Sequence, residues 1–295
     1  MKRIWRHILA VACALPLLLP GLARAEPAYW IISDDDTEIL LIGTIHLGKR
    51  GQLTLPAELV RTLPVADRLY LESRVDTRQG APGEDGLKKY GRLPEGQTLR
   101  DVLPAALLQR LEQTLAGLGF PLSAVEGYRP WAISILLQTT QMSRKGYQHT
   151  DGVESLILDL AEQAGVEIRG LETPGTAMQL LAGLSPETDR LMLESALSEL
   201  GQVGDFLDQT VTAWQAGDLA TLQTTLLDEM DKSAEFSEAV LHKRTRAWVT
   251  RTVELMQVPG VFVIAVGTGH LLGERGMPAL LAREGLRIRR GGAGG

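Results

Sequence analysis

Apolar residues fall along this chain in two rhythms. Short unbroken or alternating runs rich in Ile, Val, Leu and Tyr stand at 29–32, 37–42, 68–71, 166–171, 261–266 and 286–289, and each reads as a strand. The first two flank Asp34-Asp35-Asp36 and predict a β-hairpin. Elsewhere the rhythm is helical. Val153, Leu156, Ile157, Leu160 and Ala161 recur at i, i+3, i+4, i+7 and i+8, a helix with one buried face. Thr98 reads as the cap of a helix running through 103–118 and ending at Gly119, and 131–141 is a second apolar helix. Thr173-Pro174 resembles an N-cap followed by a first-turn proline. From about 174 to 257 the pattern is helical throughout, with Ser185-Pro186 and Gly217-Asp218 as starts or breaks, and 278–284 is helical again.

Strands separated by helical crossovers imply an α/β fold. The expected architecture is a central mixed, partly parallel sheet flanked by helices, with a large helical insertion at about 174–257. No long low-complexity linker divides the chain; only 77–86 and the tail 291–295 are loose. A single domain is expected over 26–295.

The first 25 residues change the account of the rest. Lys2, Arg3 and Arg6 precede an apolar stretch at 8–22 that holds Pro16 and Pro20, and Ala23-Arg24-Ala25 has the form of a leader cleavage site. A cleaved signal peptide at 1–25 is expected, with a periplasmic or secreted product. The stretch is too short and proline-broken for a stable membrane span after cleavage. Residues 26–295 hold 26 basic against 36 acidic side chains, a formal charge of −10, and no cysteine. That excludes disulfides, a thiol nucleophile and thiolate metal ligands, and argues against nucleic acid as a partner.

Candidate chemistry sits where strands end. Gly43-Thr44-Ile45-His46 follows the 37–42 run and Gly267-Thr268-Gly269-His270 follows the 261–266 run. With 31 glycines and five histidines in the chain, chance supplies about half such a tetrad. A third copy, Gly146-Tyr147-Gln148-His149, follows polar residues instead of a strand, so context separates the two interesting copies from the bland one. Glu72 ends the 68–71 strand and Glu172 ends the 166–171 strand. If these strands are parallel, all four groups emerge at one sheet edge, where open α/β folds place ligands. Two imidazoles and one or two carboxylates suit a divalent ion, Zn, Mn, Co or Fe. Such an ion would activate water, with a second carboxylate as general base. Each residue also has a plainer reading. Glu72 has a neighbouring partner in Arg74, and Glu172 and Glu154 stand where acidic residues favour a helix start. His242-Lys243-Arg244-Thr245-Arg246 reads as a solvated helix face, from which an arginine could bind a substrate carboxylate.

Together, Leu41–Leu47, Leu71-Glu72, Arg129-Pro130-Trp131, Gly152-Val153-Glu154, Gly170–Thr173 and Val263–His270 resemble the TraB/GumN family, which is related to the Tiki proteins. The resemblance covers nearly all of 26–295. It implies a metal-dependent hydrolase, peptidase-like, with manganese or cobalt as the ion. It also implies His46 and His270 as metal or catalytic residues, Glu72 as the leading carboxylate, and Glu154 and Glu172 behind it. Arg244 matches a family arginine usually followed by asparagine; here Thr245 stands instead. Relatives often carry aspartate at position 154. The expected substrate is a peptide or small molecule. The alternatives are a non-catalytic envelope protein that binds a ligand, metal or haem, and an interaction protein that docks through its helical insertion.

Overall fold

A computed structural model describes residues 26–74 and 84–292. The leader at 1–25 and most of the loose stretch at 77–86 lie outside the described residues. Six strands form one mixed sheet: β1 (Tyr29–Ser33), β2 (Thr37–Thr44), β3 (Arg68–Ser73), β4 (Glu167–Glu172), β5 (Gly260–Gly267) and β6 (Ile288–Gly291), in the order β4-β3-β5-β2-β1-β6. The expected hairpin is present, with Tyr29 opposite Ile42 and Ser33 opposite Glu38. β6 pairs antiparallel with β1. β2, β5, β3 and β4 run parallel to one another.

The central parallel strands β2 and β5 are apolar through most of their length because helices cover both faces. Side chains alternate along each strand, so neighbours in sequence feed different cores. Leu40, Ile42, Leu69, Leu71, Val263 and Ala265 pack on one face against Leu59, Ile157, Ala161, Leu207 and Trp214. Ile39, Leu41, Tyr70, Phe262, Ile264 and Val266 face the other way, against Trp248, Leu255, Met277 and Leu281. Burying a Leu- or Ile-sized side chain contributes roughly 1.5–3 kcal/mol, so these two layers drive assembly of the sheet.

The helical insertion after β4 straddles the sheet. Its Val203–Ala216 helix covers the first face and its Lys243–Leu255 helix the second. A satellite core of Leu99, Leu107, Leu111 and Leu115 with Ile133, Leu137 and Leu193 lies away from the strands. Among the described residues no helix is long and apolar enough to cross a membrane.

Two helix starts differ from expectation. Thr98 caps only the short Leu99–Val102 helix, in a capping box with Asp101, and a separate helix runs Ala105–Gly117. Pro104 drives Leu103 to extended backbone, φ −107° and ψ 140°, because its ring disfavours a helical residue before it. Thr173-Pro174 does not open a helix either. Gly175 takes a left-handed φ of 88°, and the helix spans Thr176–Ala182.

Candidate functional site

Because β2, β5, β3 and β4 are parallel, their carboxyl ends share one edge. β2 and β5 are neighbours, with Gly43 opposite Val266 and Thr44 opposite Gly267, so both tetrads leave the sheet side by side. Their first glycines serve close approach. A Cβ on Gly43 would stand 2.7 Å from Thr268 Oγ1, and one on Gly267 would stand 2.9 Å from Glu72 Oε1. The tetrads are also stitched together. Thr268 Oγ1 donates to the Thr44 carbonyl at 2.9 Å, and the Gly267 N–H donates to Glu72 Oε1 at 2.7 Å.

Arg244 is the hub. Its Nη2 donates to Glu72 Oε2 at 2.6 Å and to Glu172 Oε1 at 2.7 Å, and its Nε donates to Glu172 Oε2 at 3.0 Å. Nη1 meets the Val240 carbonyl at 3.2 Å and His270 Nε2 at 3.4 Å. A guanidinium has five N–H donors, and here all five have protein acceptors. Arg244 therefore has no donor left for a substrate carboxylate. The side chain is only 8 % exposed and lies over the Trp248 ring, 4.6 Å from its centroid. The expected solvated face at 242–246 is thus half wrong: His242, Arg244 and Thr245 are buried, while Lys243 and Arg246 face solvent. A helix turns 100° per residue, so a polar string is divided between its faces. The turn before this helix, Glu238–His242, has the wider π winding often found beside functional sites.

The His270 side chain is 6 % exposed and packs on Trp248 with centroids 4.3 Å apart and the rings tilted by 46°. Thr245 Oγ1 donates its one proton to the Leu241 carbonyl at 2.8 Å, so toward His270 Nδ1, also at 2.8 Å, it can only accept. That places the proton on Nδ1 and leaves an Nε2 lone pair facing Arg244 and Glu72. Burial, with Arg244 and His46 adding to it and Glu72 opposing, pushes the His270 pKa down to about 3. The ring is neutral at physiological pH. Burial works against the Glu72 carboxylate, but Arg244, the two histidines and the Gly267 N–H together outweigh it and hold the pKa at about 2.

His46 is the open counterpart, 56 % exposed, with Nδ1 3.0 Å from Glu154 Oε2. The protein around the ring opposes its charge, yet the Glu154 hydrogen bond and the Glu154 and Glu72 charges raise its pKa to about 9. The loop behind it is pinned to the Glu154 segment: the Val153 N–H donates to the Ile45 carbonyl at 2.9 Å, and Gly48 bridges Gln148.

The structure thus assembles Glu72, Glu172, Arg244 and His270 into one hydrogen-bonded cluster. His46 and Glu154 form a second pair whose charge is felt at Glu72. Glu72 pairs with Arg244, not with its sequence neighbour Arg74. Glu172 holds Arg244 and caps no helix. Glu154, in the first turn of the Val153–Ala164 helix, orients His46. Thr245 and Trp248 are site residues that sequence reasoning missed; the signal was the Leu241, Thr245, Trp248, Thr252, Leu255 spacing of one buried helix face. Trp214 was missed too, and its Nε1 donates to the Gly43 carbonyl at 2.9 Å. Arg129-Pro130-Trp131 is a brace: Arg129 pairs with Asp189 at 2.8 Å, and Asp189 also accepts the Trp131 N–H.

The donors suit a divalent ion in type and charge. Three carboxylates and one guanidinium leave a deficit of two positive charges when both imidazoles are neutral, and both can present Nε2, each oriented through Nδ1. Their positions do not close around an ion: among the described residues no three His, Cys, Asp or Glu side chains form a metal-holding group. Arg244 occupies the Glu72 and Glu172 carboxylates that an ion would use.

The chain is 27% identical to the uncharacterized protein YbaP of Escherichia coli (strain K12) over 255 residues, covering 86% of this chain and 92% of that protein. It is 27% identical to YbaP of Shigella flexneri over 241 residues, covering 82% and 86%. An uncharacterized protein of Treponema pallidum (strain Nichols) is 22% identical over 274 residues, covering 88% and 80%. No solved structure matches the chain. The model of the TraB/PrgY/gumN family matches residues 28–290, which takes in β1 to β5, all of β6 but its last residue, and the whole of the site, and the chain belongs to that family.

Proposed function

We propose that this protein is a metal-dependent hydrolase of the periplasm or exterior, acting on a peptide bond. The observation that carries the reading is the meeting of two oppositely tuned imidazoles with a carboxylate cluster at the carboxyl ends of parallel strands. His46 and His270, through Nε2, and Glu72 would hold the ion, in place of the present Arg244 contact to Glu72. Bound there, a divalent ion supplies a water activated near neutral pH. Glu154 keeps the His46 proton on Nδ1, and Thr245 does the same for His270. Glu172 retains Arg244 beside the site, where its positive charge favours anionic character in a reacting group.

Arg244 also favours a second reading, in which the site works without an ion. His46, charged and open, donates a proton, while neutral His270 offers an acceptor. Environments that push two titrating groups apart in this way assign acid and base.

The test measures metal content and thermal shift with Mn²⁺, Co²⁺ and Zn²⁺ on protein made without a histidine tag, beside a quenched-peptide screen. A concentration-dependent shift lost in His46→Ala/His270→Ala, with peptide cleavage lost in the same variant, supports the first reading. Cleavage that survives chelation moves the second ahead. Ligand or haem binding without turnover makes it a binding protein. An N-terminus at Glu26 on protein recovered from the periplasm supports the location.

A further inference from the structure

A second cleft lies on the same sheet face as Glu72, toward the amino ends of β3 and β4. Its volume is about 220 Å³. That is below the roughly 300–1,000 Å³ of drug-sized sites, so it suits a group the size of one amino acid. The floor is apolar, built from Tyr70, Leu171, Leu255 and Ile264. The rim carries Arg68, Arg169 and Arg251 beside one carboxylate, Glu254. Glu167 is held between two of these, 2.9 Å from Arg68 Nε and 2.7 Å from Arg169 Nη2. Arg251 has a much looser partner, Glu254 at 3.9 Å. Three guanidinium groups against two carboxylates, Glu167 and Glu254, leave one surplus positive charge at this rim, in a chain whose net charge is negative. Val258, 43% exposed, adds an uncovered apolar group beside the arginines.

We propose that this cleft binds an anion with an apolar body: a carboxylate on a hydrophobic residue, as in an acylated amino acid or the end of a hydrophobic peptide. The floor takes the apolar body and Arg251, with Arg169, takes the carboxylate. The cleft is separate from the His46 and His270 site but aligned with it. Arg244, Trp248, Arg251 and Leu255 follow one another at i, i+4, i+7 and i+11 on the Lys243–Leu255 helix. At 1.5 Å per residue Arg251 stands about 10 Å along that helix from Arg244. The inference stands whether or not the main site is catalytic.

The experiment titrates the purified protein with N-acetylphenylalanine and with its uncharged amide, followed by ¹H–¹⁵N NMR. The acid is expected to saturate, with shifts centred on Leu171, Arg251 and Val258, and the amide to bind about tenfold more weakly or worse. Binding of the acid weakens as salt rises. Arg169→Gln/Arg251→Gln abolishes it, and Arg251→Gln alone, which breaks only the loosest ion pair, weakens it severalfold. His46→Ala/His270→Ala leaves it unchanged. Equal binding of acid and amide, no saturation, no effect of the arginine variants, or shifts centred on His46 and His270 each overturn the proposal.

Discussion

Thr245 and His270 share a hydrogen bond of 2.8 Å in which the hydroxyl can only accept, because its proton is committed to the Leu241 carbonyl. The pair lies in the core, at 1% and 5% exposure, so no water competes for the imidazole proton. One buried threonine thereby decides which nitrogen of His270 faces Arg244 and Glu72. The asparagine expected after the family arginine has an amide oxygen that could accept in the same way.

Thr245→Val removes the acceptor and keeps the shape, so it should release the Nδ1–H tautomer, and Thr245→Ser should retain it. Long-range ¹H–¹⁵N NMR distinguishes a protonated from an unprotonated Nε2. Valine is expected to cost about 1 kcal/mol of stability for the lost buried bond. An unprotonated Nε2 in the valine variant would show that something else fixes the ring.

Arg244 balances Glu72 and Glu172 inside the protein. Removing one partner of a buried ion pair leaves an uncompensated charge, at a cost of about 3–5 kcal/mol. Arg244→Met should lose that much in urea unfolding, and Arg244→Met/Glu72→Gln/Glu172→Gln should recover most of it. The same single variant frees the carboxylates, so its Mn²⁺ affinity should exceed that of the parent by about tenfold or more in calorimetry. Weaker Mn²⁺ binding in Arg244→Met would mean that the arginine supports an ion instead of competing with one.

Stability should fall as pH drops below 6.5. Unfolded His270 takes up a proton near its ordinary value of 6.5, whereas folded His270 resists until about 3. In that window the unfolded state binds more protons, so acid favours unfolding by up to about 1.4 kcal/mol per pH unit for this one group. Glu72 adds its share lower down, between its ordinary 4.5 and about 2. His46 acts in the opposite sense: its pair with Glu154 is fully present below 6.5 and is lost as pH rises through about 9. Urea titrations at pH 5.0 and 6.5 on parent and His270→Gln check this, since in that range Glu72 contributes little. An equal loss in both would assign the slope elsewhere.

Much of the scaffold was legible because the central strands, buried on both faces, are apolar through most of their length. The 37–42 and 261–266 runs announced β2 and β5, and the residues after them announced the site edge. Glu72 and Glu172 followed by the same logic. Arg244 and Thr245 were not legible from composition, because a buried polar pair looks like a solvated face until its partners are known. Those partners lie 72 and 172 residues away for the Arg244–carboxylate contacts. Trp214 and Gly43, 171 residues apart, meet for a reason no local pattern carries. The breaks at Pro104 and Gly175 were chemically visible, but the helical rhythm around them masked their effect.

Gly152 sets the position of His46 from behind. It precedes Glu154 by two residues, and a Cβ there would lie 2.5 Å from the His46 carbonyl oxygen and 2.6 Å from its carbon. Both contacts are backbone, so no side chain can swing aside to relieve them. Gly152 has φ −76° and ψ 163°, which any residue can adopt, so the constraint is space alone. Gly152→Ala should push the His46 loop off the Val153–Ala164 helix and lengthen the 3.0 Å contact to Glu154. The expected cost is about 1–3 kcal/mol, as for other overpacked sites. The sharper readout is the His46 pKa by NMR. It should fall from about 9 toward the ordinary 6.5 as the Glu154 bond is lost. Glu154→Gln should lower it as well, without the strain. A His46 that still titrates near 9 in Gly152→Ala would show that the loop holds the ring independently of this packing.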